Sequence, residues 1–296
     1  MSQEITPVKC TELIRKYDFP VRKKYGQNFL IDSNILESIV FESKITKDDV
    51  VLEIGPGMGS LTAYLLNSAK KVIAVEIDKM LIPILEETLA GAENLVLIND
   101  DILKIDLKEL IKKEADGKRI KVVANLPYYI TTPVIIALLK RQADIESMTV
   151  MVQKEVAERA KAAPGSKDYG SLSLLIQYYA DPKIMLEVSR NCFIPRPDVD
   201  SAVLKLDIYR PDERPVKTDD PEKMFALIRA AFGQRRKTLA NAVSNSSELK
   251  AAKKDITAAL TEMGLSEDIR GQALTLSEFA RLTELLASFY IWSGAR

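Results

Sequence analysis

The sequence predicts an α/β protein: a mostly parallel sheet of seven strands wound with helices, followed by a small domain made only of helices. Three observations predict it. Apolar, β-branched runs at 50–54, 72–76, 94–98, 120–124, 147–152, 183–188 and 201–207 alternate with amphipathic helical patterns, as repeated βα units do. One of these runs, Val50-Val51-Leu52-Glu53-Ile54, breaks into Gly55, Gly57 and Gly59 and then into a helical pattern, which is how a buried parallel strand turns into a helix. After residue 208 the strands stop: Arg210-Pro211-Asp212-Glu213-Arg214-Pro215 reads as a linker, and helical patterns follow at 221–232, 236–244, 250–263 and 276–289.

A chain of 296 residues is long for one domain and suits a large one with a small one. The pattern divides it into an N-terminal arm (1–30), a sheet domain (31–208) and a helical domain (209–296). The arm holds six basic groups, among them Arg22, Lys23 and Lys24, against three acidic ones, whereas residues 31–120 hold eleven basic against seventeen acidic. Such a polarised surface suits phosphate, although a solvated tail gives the same count, and a formal net charge of zero does not by itself point to nucleic acid. The sequence has no histidine, which excludes imidazole acid–base chemistry and His-dependent triads. With only Cys10 and Cys192 besides, neither a zinc site nor a disulfide framework is expected. Without a signal-peptide pattern or a membrane-length apolar run, the chain reads as soluble and cytoplasmic, with no membrane partner.

In chain order, Asp32 and Ser33 offer N-caps for a helix ending near Phe41. The glycines after the 50–54 strand let the backbone turn sharply and expose peptide N–H groups at the helix start to a ligand. The next strand, Val72-Ile73-Ala74-Val75-Glu76, ends in a carboxylate about twenty residues on, the spacing that places an acid on a ribose hydroxyl pair. A nicotinamide dinucleotide site would place its third glycine three residues after the second. Here Gly59 follows Gly57 by two and Ser60 fills that slot. The alternate-glycine form resembles instead the first motif of Rossmann-like methyltransferases, whose cofactor is S-adenosylmethionine; an ordinary strand-to-helix turn would show the same glycines. The 94–98 strand ends in Asn99-Asp100-Asp101, where one acid suits an adenine amino group and the other a helix N-cap. The 120–124 strand runs into Asn125-Leu126-Pro127-Tyr128-Tyr129. That block sets an amide oxygen and a backbone carbonyl beside a flat ring, acceptors for a planar exocyclic amine and a face for its base. The last two strand patterns follow one another across a Pro-rich loop, which predicts an antiparallel edge.

Gln27-Asn28-Phe29-Leu30, Glu53-Ile54-Gly55-Pro56-Gly57-Met58-Gly59, Glu76, Asp101, Asn125-Leu126-Pro127-Tyr128, Phe193-Ile194-Pro195-Arg196-Pro197 and Phe232-Gly233-Gln234-Arg235-Arg236-Lys237-Thr238-Leu239 stand in the order seen in the KsgA (RsmA) family of ribosomal RNA adenine dimethyltransferases, and the chain resembles that family over nearly its whole length. Residues before Lys23 match none of its motifs. The resemblance implies S-adenosylmethionine-dependent dimethylation of N6 on two adjacent adenosines near the 3′ end of 16S ribosomal RNA, in the small subunit or its precursor, by a monomer that needs no metal. It further implies that Asn28, Leu30, Gly55, Gly57, Glu76, Asp101 and Asn125 bind the cofactor. Asn125, Leu126, Pro127, Tyr128 and Phe193 would form the catalytic clamp on the target adenine, with Tyr128 and Phe193 on its two faces. Arg22, Lys23, Lys24, Arg235, Arg236 and Lys237 would bind RNA. The last three open a helical pattern, where basic residues oppose the dipole, so phosphate contact explains them better than local stability. Two related readings share the fold: an erythromycin-resistance type 23S ribosomal RNA adenine methyltransferase, and a non-catalytic ribosome-assembly or transcription factor. With carboxylates titrating near 4 and tyrosines near 10, turnover is expected to be nearly flat from about pH 6 to 9.

Overall fold

The computed structural model describes residues 7–20, 28–141, 143–249 and 251–288. In chain order the elements are α1 (Pro7–Lys16), β1 (Phe29–Leu30), α2 (Ser33–Glu42), β2 (Val50–Ile54), α3 (Ser60–Ser68), β3 (Lys71–Glu76), α4 (Ile82–Thr88), β4 (Leu95–Asn99), α5 (Leu107–Glu114), β5 (Ile120–Asn125), α6 (Tyr128–Arg141), β6 (Ile145–Gln153), α7 (Lys154–Lys161), α8 (Ser171–Tyr179), β7 (Ala180–Val188), β8 (Phe193–Ile194), β9 (Ser201–Ile208), α9 (Pro221–Gly233), α10 (Leu239–Ser244), α11 (Lys253–Glu262) and α12 (Leu276–Ser288). Seven strands form one sheet in the order β4-β3-β2-β5-β6-β9-β7. The five strands from β4 to β6 run parallel, and β9 lies antiparallel to β6, pairing Val150 with Leu204 and Gln153 with Ser201. The parallel order is therefore broken at β9, and β7 closes the sheet outside it.

Both faces of the central strands are covered, so β2 and β5 are continuous apolar runs rather than alternating ones; Val51, Leu52, Val122 and Val123 are all fully buried. The order β3-β2-β5 reverses the direction of winding at β2, and ligands in open α/β sheets collect at the carboxyl ends of strands flanking such a point. Helix α2 starts at Asp32, whose side chain accepts from the N–H groups of Asn34 at 3.0 Å and Ile35 at 3.2 Å. Beyond its other end, two buried lysines of the sheet satisfy carbonyls: Lys205 donates to Glu42 at 3.1 Å and Lys121 to Lys44 at 2.6 Å.

The chain divides into two compact units, one of residues 1–157 with 181–208 and one of 158–180 with 209–296. The boundary read at 208 matches a border of the first unit, but 158–180 groups with the helices. The reason is packing: α8 is buried almost all round, with Tyr178 and Tyr179 against Phe225 of α9 at ring centroid separations of 5.4 and 5.9 Å. An internal excursion of this kind leaves no linker signal in the sequence. Within the same unit, Gly271 lies so close to α9 that a Cβ there would stand 2.9 Å from that of Ala231.

Over the described part of the arm, α1 buries Cys10 and Leu13 in the core of the first unit, and Phe19 beyond it is buried there too. One expectation needs correction. Helix α10 begins at Leu239, capped by the Thr238 hydroxyl accepting from the Asn241 N–H at 3.4 Å, and not at Arg236. Arg235, Arg236 and Lys237 therefore lie in the loop between α9 and α10, outside the helix they were expected to open. Arg22, Lys23, Lys24 and Gln27 lie outside the described residues.

Candidate active site

Strand ends converge on one cavity in the first unit, of about 1060 Å³ with the solvent at its mouth included. Its walls take Asn28 and Leu30, Gly55 and Gly57 after β2, Glu76 at the end of β3, Asp101 after β4, and Asn125, Leu126, Pro127 and Tyr128 after β5. Phe193 completes it. Every proposed cofactor and clamp residue thus borders a single space.

The glycines have separate duties. Gly55 and Gly57 hold φ of +68° and +61°, which other residues rarely adopt. A Cβ on Gly57 would also press to 3.2 Å from the Phe29 ring, so the loop and the strand above it are fitted together. Gly59 does not border the cavity. A side chain there would meet Thr88, Leu85 and Leu89 at 3.2–3.3 Å, so it lets α3 pack on α4 and does not serve a ligand.

Glu76 is buried, and its carboxylate accepts from the Gly57 N–H at 3.2 Å and the Asp78 N–H at 2.8 Å. Burial nevertheless outweighs those bonds and pushes its pKa up to about 7. Glu53 is a candidate site residue that the sequence did not single out. It lies on β2 at 1 % exposure, borders the cavity, and its Oε2 has no hydrogen-bond partner among the described residues. Its pKa rises to about 8, first from burial and then from Glu76, with the Thr62 hydroxyl acting the other way. The available signal was an acid inside a run that parallel-sheet burial should keep apolar. These shifts also overturn the expectation that no site group changes charge near neutrality. A buried acid with an orphaned oxygen suits a ligand that brings positive charge, as S-adenosylmethionine does with its sulfonium and ammonium groups, and the donor set therefore fits that cofactor.

On the other side of the cavity, Asn125 donates through Nδ2 to the Asn28 carbonyl at 3.4 Å, which leaves its Oδ1 as an acceptor. The Pro127 carbonyl accepts from Ile130 N at 3.1 Å and Thr131 Oγ1 at 3.0 Å, opening the first turn of α6 directly after the block. Tyr128 shares a 2.7 Å hydrogen bond with Ser201 on β9, which fixes its ring. Burial raises the Tyr128 pKa, so it stays neutral at physiological pH. Phe193 pairs with Leu30, and Ile194 with Phe29, in the short antiparallel ribbon of β1 and β8. The segment proposed to cover the cofactor and the ring proposed to cover the target therefore belong to one ribbon.

The basic cluster lies in the second unit. Arg235, Arg236 and Lys237 are all exposed, and Arg235 donates to the carbonyls of Lys167 at 2.8 Å and Tyr169 at 3.2 Å. Arg235 therefore has a structural duty that the sequence did not show. Among the described residues no helix is long and apolar enough to cross a membrane.

The chain is similar to known proteins over nearly its whole length. The family model described as ribosomal RNA adenine dimethylase matches residues 19–283. A protein of Lachnoclostridium phytofermentans named ribosomal RNA small subunit methyltransferase A is 53 % identical over 281 residues, covering 95 % of this chain and 96 % of that one. One of the same name from Alkaliphilus metalliredigens is 48 % identical over 97 % of this chain and 99 % of its own. Among solved structures, a dimethyladenosine transferase from Plasmodium falciparum aligns with a TM-score of 0.74 at 26 % identity, covering 89 % of this chain and 98 % of that one. The 23S rRNA methyltransferase ErmE aligns at 0.65, also 26 % identical, over 88 % of this chain and all of its own. On this match over nearly its full length, the chain belongs to the ribosomal RNA adenine dimethylase family.

Proposed function

We propose that this protein uses S-adenosylmethionine to dimethylate N6 of two adjacent adenosines near the 3′ end of 16S ribosomal RNA, within the small subunit or its precursor. The observation that carries the proposal is the single cavity on which nucleoside-binding groups (Gly55, Gly57, Glu76, Asp101) and an amine-binding block (Asn125–Tyr128, with Phe193) converge. When bound, the cofactor supplies an electrophilic methyl group on a sulfonium, whose departure leaves a neutral thioether and so requires no acid. Glu76 accepts from the ribose hydroxyls and Asp101 from the cofactor's adenine amino group. Asn28 and Leu30 close over the methionine end. The target adenine lies between Tyr128 and Phe193. Its N6 hydrogens are accepted by Asn125 Oδ1 and the Leu126 carbonyl, which favours a pyramidal nitrogen with its lone pair free. No general base is needed before transfer, since the proton leaves afterwards from a strongly acidic aminium. Exposed Arg236 and Lys237, with Arg235, meet RNA phosphates, joined by Arg22, Lys23 and Lys24 of the arm.

Small subunits are favoured over large ones because the relatives at 48–53 % identity carry the small-subunit name, whereas the 23S enzyme is only 26 % identical. Incubation with radiolabelled S-adenosylmethionine and either small or large ribosomal subunits lacking the modification tests this directly. Label should enter small-subunit RNA only. Label in large-subunit RNA would favour the erythromycin-resistance type, and none in either would favour the non-catalytic factor.

A further inference from the structure

We infer that Arg141, at the last position of α6, is a positioning residue that sets the aim of Asp101 toward the cofactor's adenine, and this rests on the assignment of Asp101 given above. Arg141 lies outside every motif, and no step of the proposed reaction uses it. Its guanidinium reaches the loop after β4 and donates to three of that loop's carbonyls: through Nη1 to Ile102 at 3.0 Å and Ile105 at 3.2 Å, and through Nη2 to Leu103.

Those carbonyls belong to a turn whose remaining bonds all lead back to Asp101. The Asp101 carbonyl accepts from Lys104 N at 2.8 Å and from Ile105 N at 3.3 Å. The Leu103 N–H donates to Asp101 Oδ1 at 2.9 Å, while Asp101 N donates to Asp100 Oδ1 at 2.7 Å. One carboxylate oxygen of Asp101 is thus fixed by the Leu103 peptide, and the carbonyl of Leu103 itself is fixed by Arg141. Lys104 Nζ, 4.0 Å from Asp101 Oδ2 and largely exposed, is too loosely held to do the same work. A planar fork with several donors suits three carbonyls turned to one side, and a lysine ammonium reproduces only part of that.

Helix α6 carries Tyr128 at its first residue and Arg141 at its last, so one element bears a clamp residue at one end and holds the Asp101 loop at the other.

The test compares binding of two ligands by calorimetry: S-adenosylhomocysteine, and its analogue with hydrogen in place of the adenine 6-amino group. The analogue removes the group Asp101 recognises and leaves the rest of the ligand intact. For Arg141→Ala we expect the dissociation constant for S-adenosylhomocysteine to rise about tenfold while that for the analogue moves less than about twofold, and Arg141→Lys should recover part of the loss. Asp101→Asn serves as the reference, with a similar selective loss. If Arg141→Ala unfolds, as thermal melting would reveal, Arg141→Lys reads the same ratio on its own. Equal losses for both ligands, or no loss for either, would overturn the role of Arg141 as a positioning residue while leaving Asp101 in place. If Asp101→Asn itself leaves the ratio unchanged, the assignment of Asp101 fails and the role of Arg141 falls with it.

Discussion

Replacing Glu53 with Gln should make the ligand-free protein more stable, and only at neutral and alkaline pH. Glu53 titrates at 4.5 when unperturbed and is pushed up to about 8 in the fold, chiefly by burial. Below the lower value both folded and unfolded chains hold the proton, and the residue makes no pH-dependent contribution. Between the two values the unfolded chain has lost it and the folded chain has kept it, so each pH unit costs the fold about 1.4 kcal/mol. Above pH 8 the cost is constant, at roughly 5 kcal/mol for a shift of this size. The sign is thus a stability highest in acid and falling as pH rises. Gln keeps the shape and removes the charge. After allowing for the amide's own desolvation, a gain of a few kcal/mol at pH 9 corresponds to a rise in melting temperature of about 10 °C, shrinking to under about 1 kcal/mol at pH 5. Thermal melts of both proteins from pH 5 to 9 read the effect, and the variant should lose cofactor affinity in exchange. Parallel melting curves across that range would refute the account of Glu53 as an acid buried for its ligand.

The same reasoning makes cofactor affinity depend on pH. Glu76 titrates at about 7 in the free protein, so binding should weaken as pH falls through neutrality, by up to about tenfold per unit below it, and Glu76→Gln should bind weakly at every pH. Calorimetry in buffers of different ionisation enthalpy would show the expected proton release; a pH-independent affinity would remove Glu76 from the ribose. Turnover at saturating cofactor should still be nearly flat from about pH 6 to 9, because no base acts before transfer. Asn125→Ala should lower kcat on the order of a hundredfold with far less effect on cofactor binding, and equal losses in both would make it a cofactor ligand only. Converting Arg236 and Lys237 to Ala should weaken RNA binding and flatten its salt dependence by about 0.7–0.9 log units for each phosphate left without its cation. Adding Arg235→Ala should also lower the melting temperature, since Arg235 holds the carbonyls of Lys167 and Tyr169.

Much of the site was legible because its chemistry is carried by residues next to one another in sequence. Gly55, Gly57 and Glu76 follow from strand ends and spacing, and Asn125–Tyr128 is a contiguous block. The central strands were legible because continuous apolar runs bounded by turn residues read as buried parallel strands. What sequence did not show depends on contacts made at long range. The grouping of 158–180 with the helical unit comes from α8 packing on α9, and no local signal marks it. The loop position of Arg235–Lys237 turns on a cap at Thr238, inside the expected helix. The raised acids depend on how deeply β2 and β3 are covered, so the pH behaviour expected from ordinary carboxylates was wrong for Glu53 and Glu76. Arg141 is separated from Asp101 by two helices and a strand, and only folding brings them together.

The central proposal is that the cavity bordered by Asn125, Tyr128 and Phe193 methylates adenine at N6, twice, on neighbouring nucleotides of small-subunit RNA. Small subunits lacking the modification would be incubated with the protein and S-adenosylmethionine, and their RNA digested to nucleosides and quantified by mass spectrometry. The account predicts N6,N6-dimethyladenosine at two per subunit, formed on the order of a hundredfold more slowly by Asn125→Ala. Methylation of a sugar hydroxyl, of another base or of another adenine atom, or dimethyladenosine formed as fast without Asn125, would contradict it.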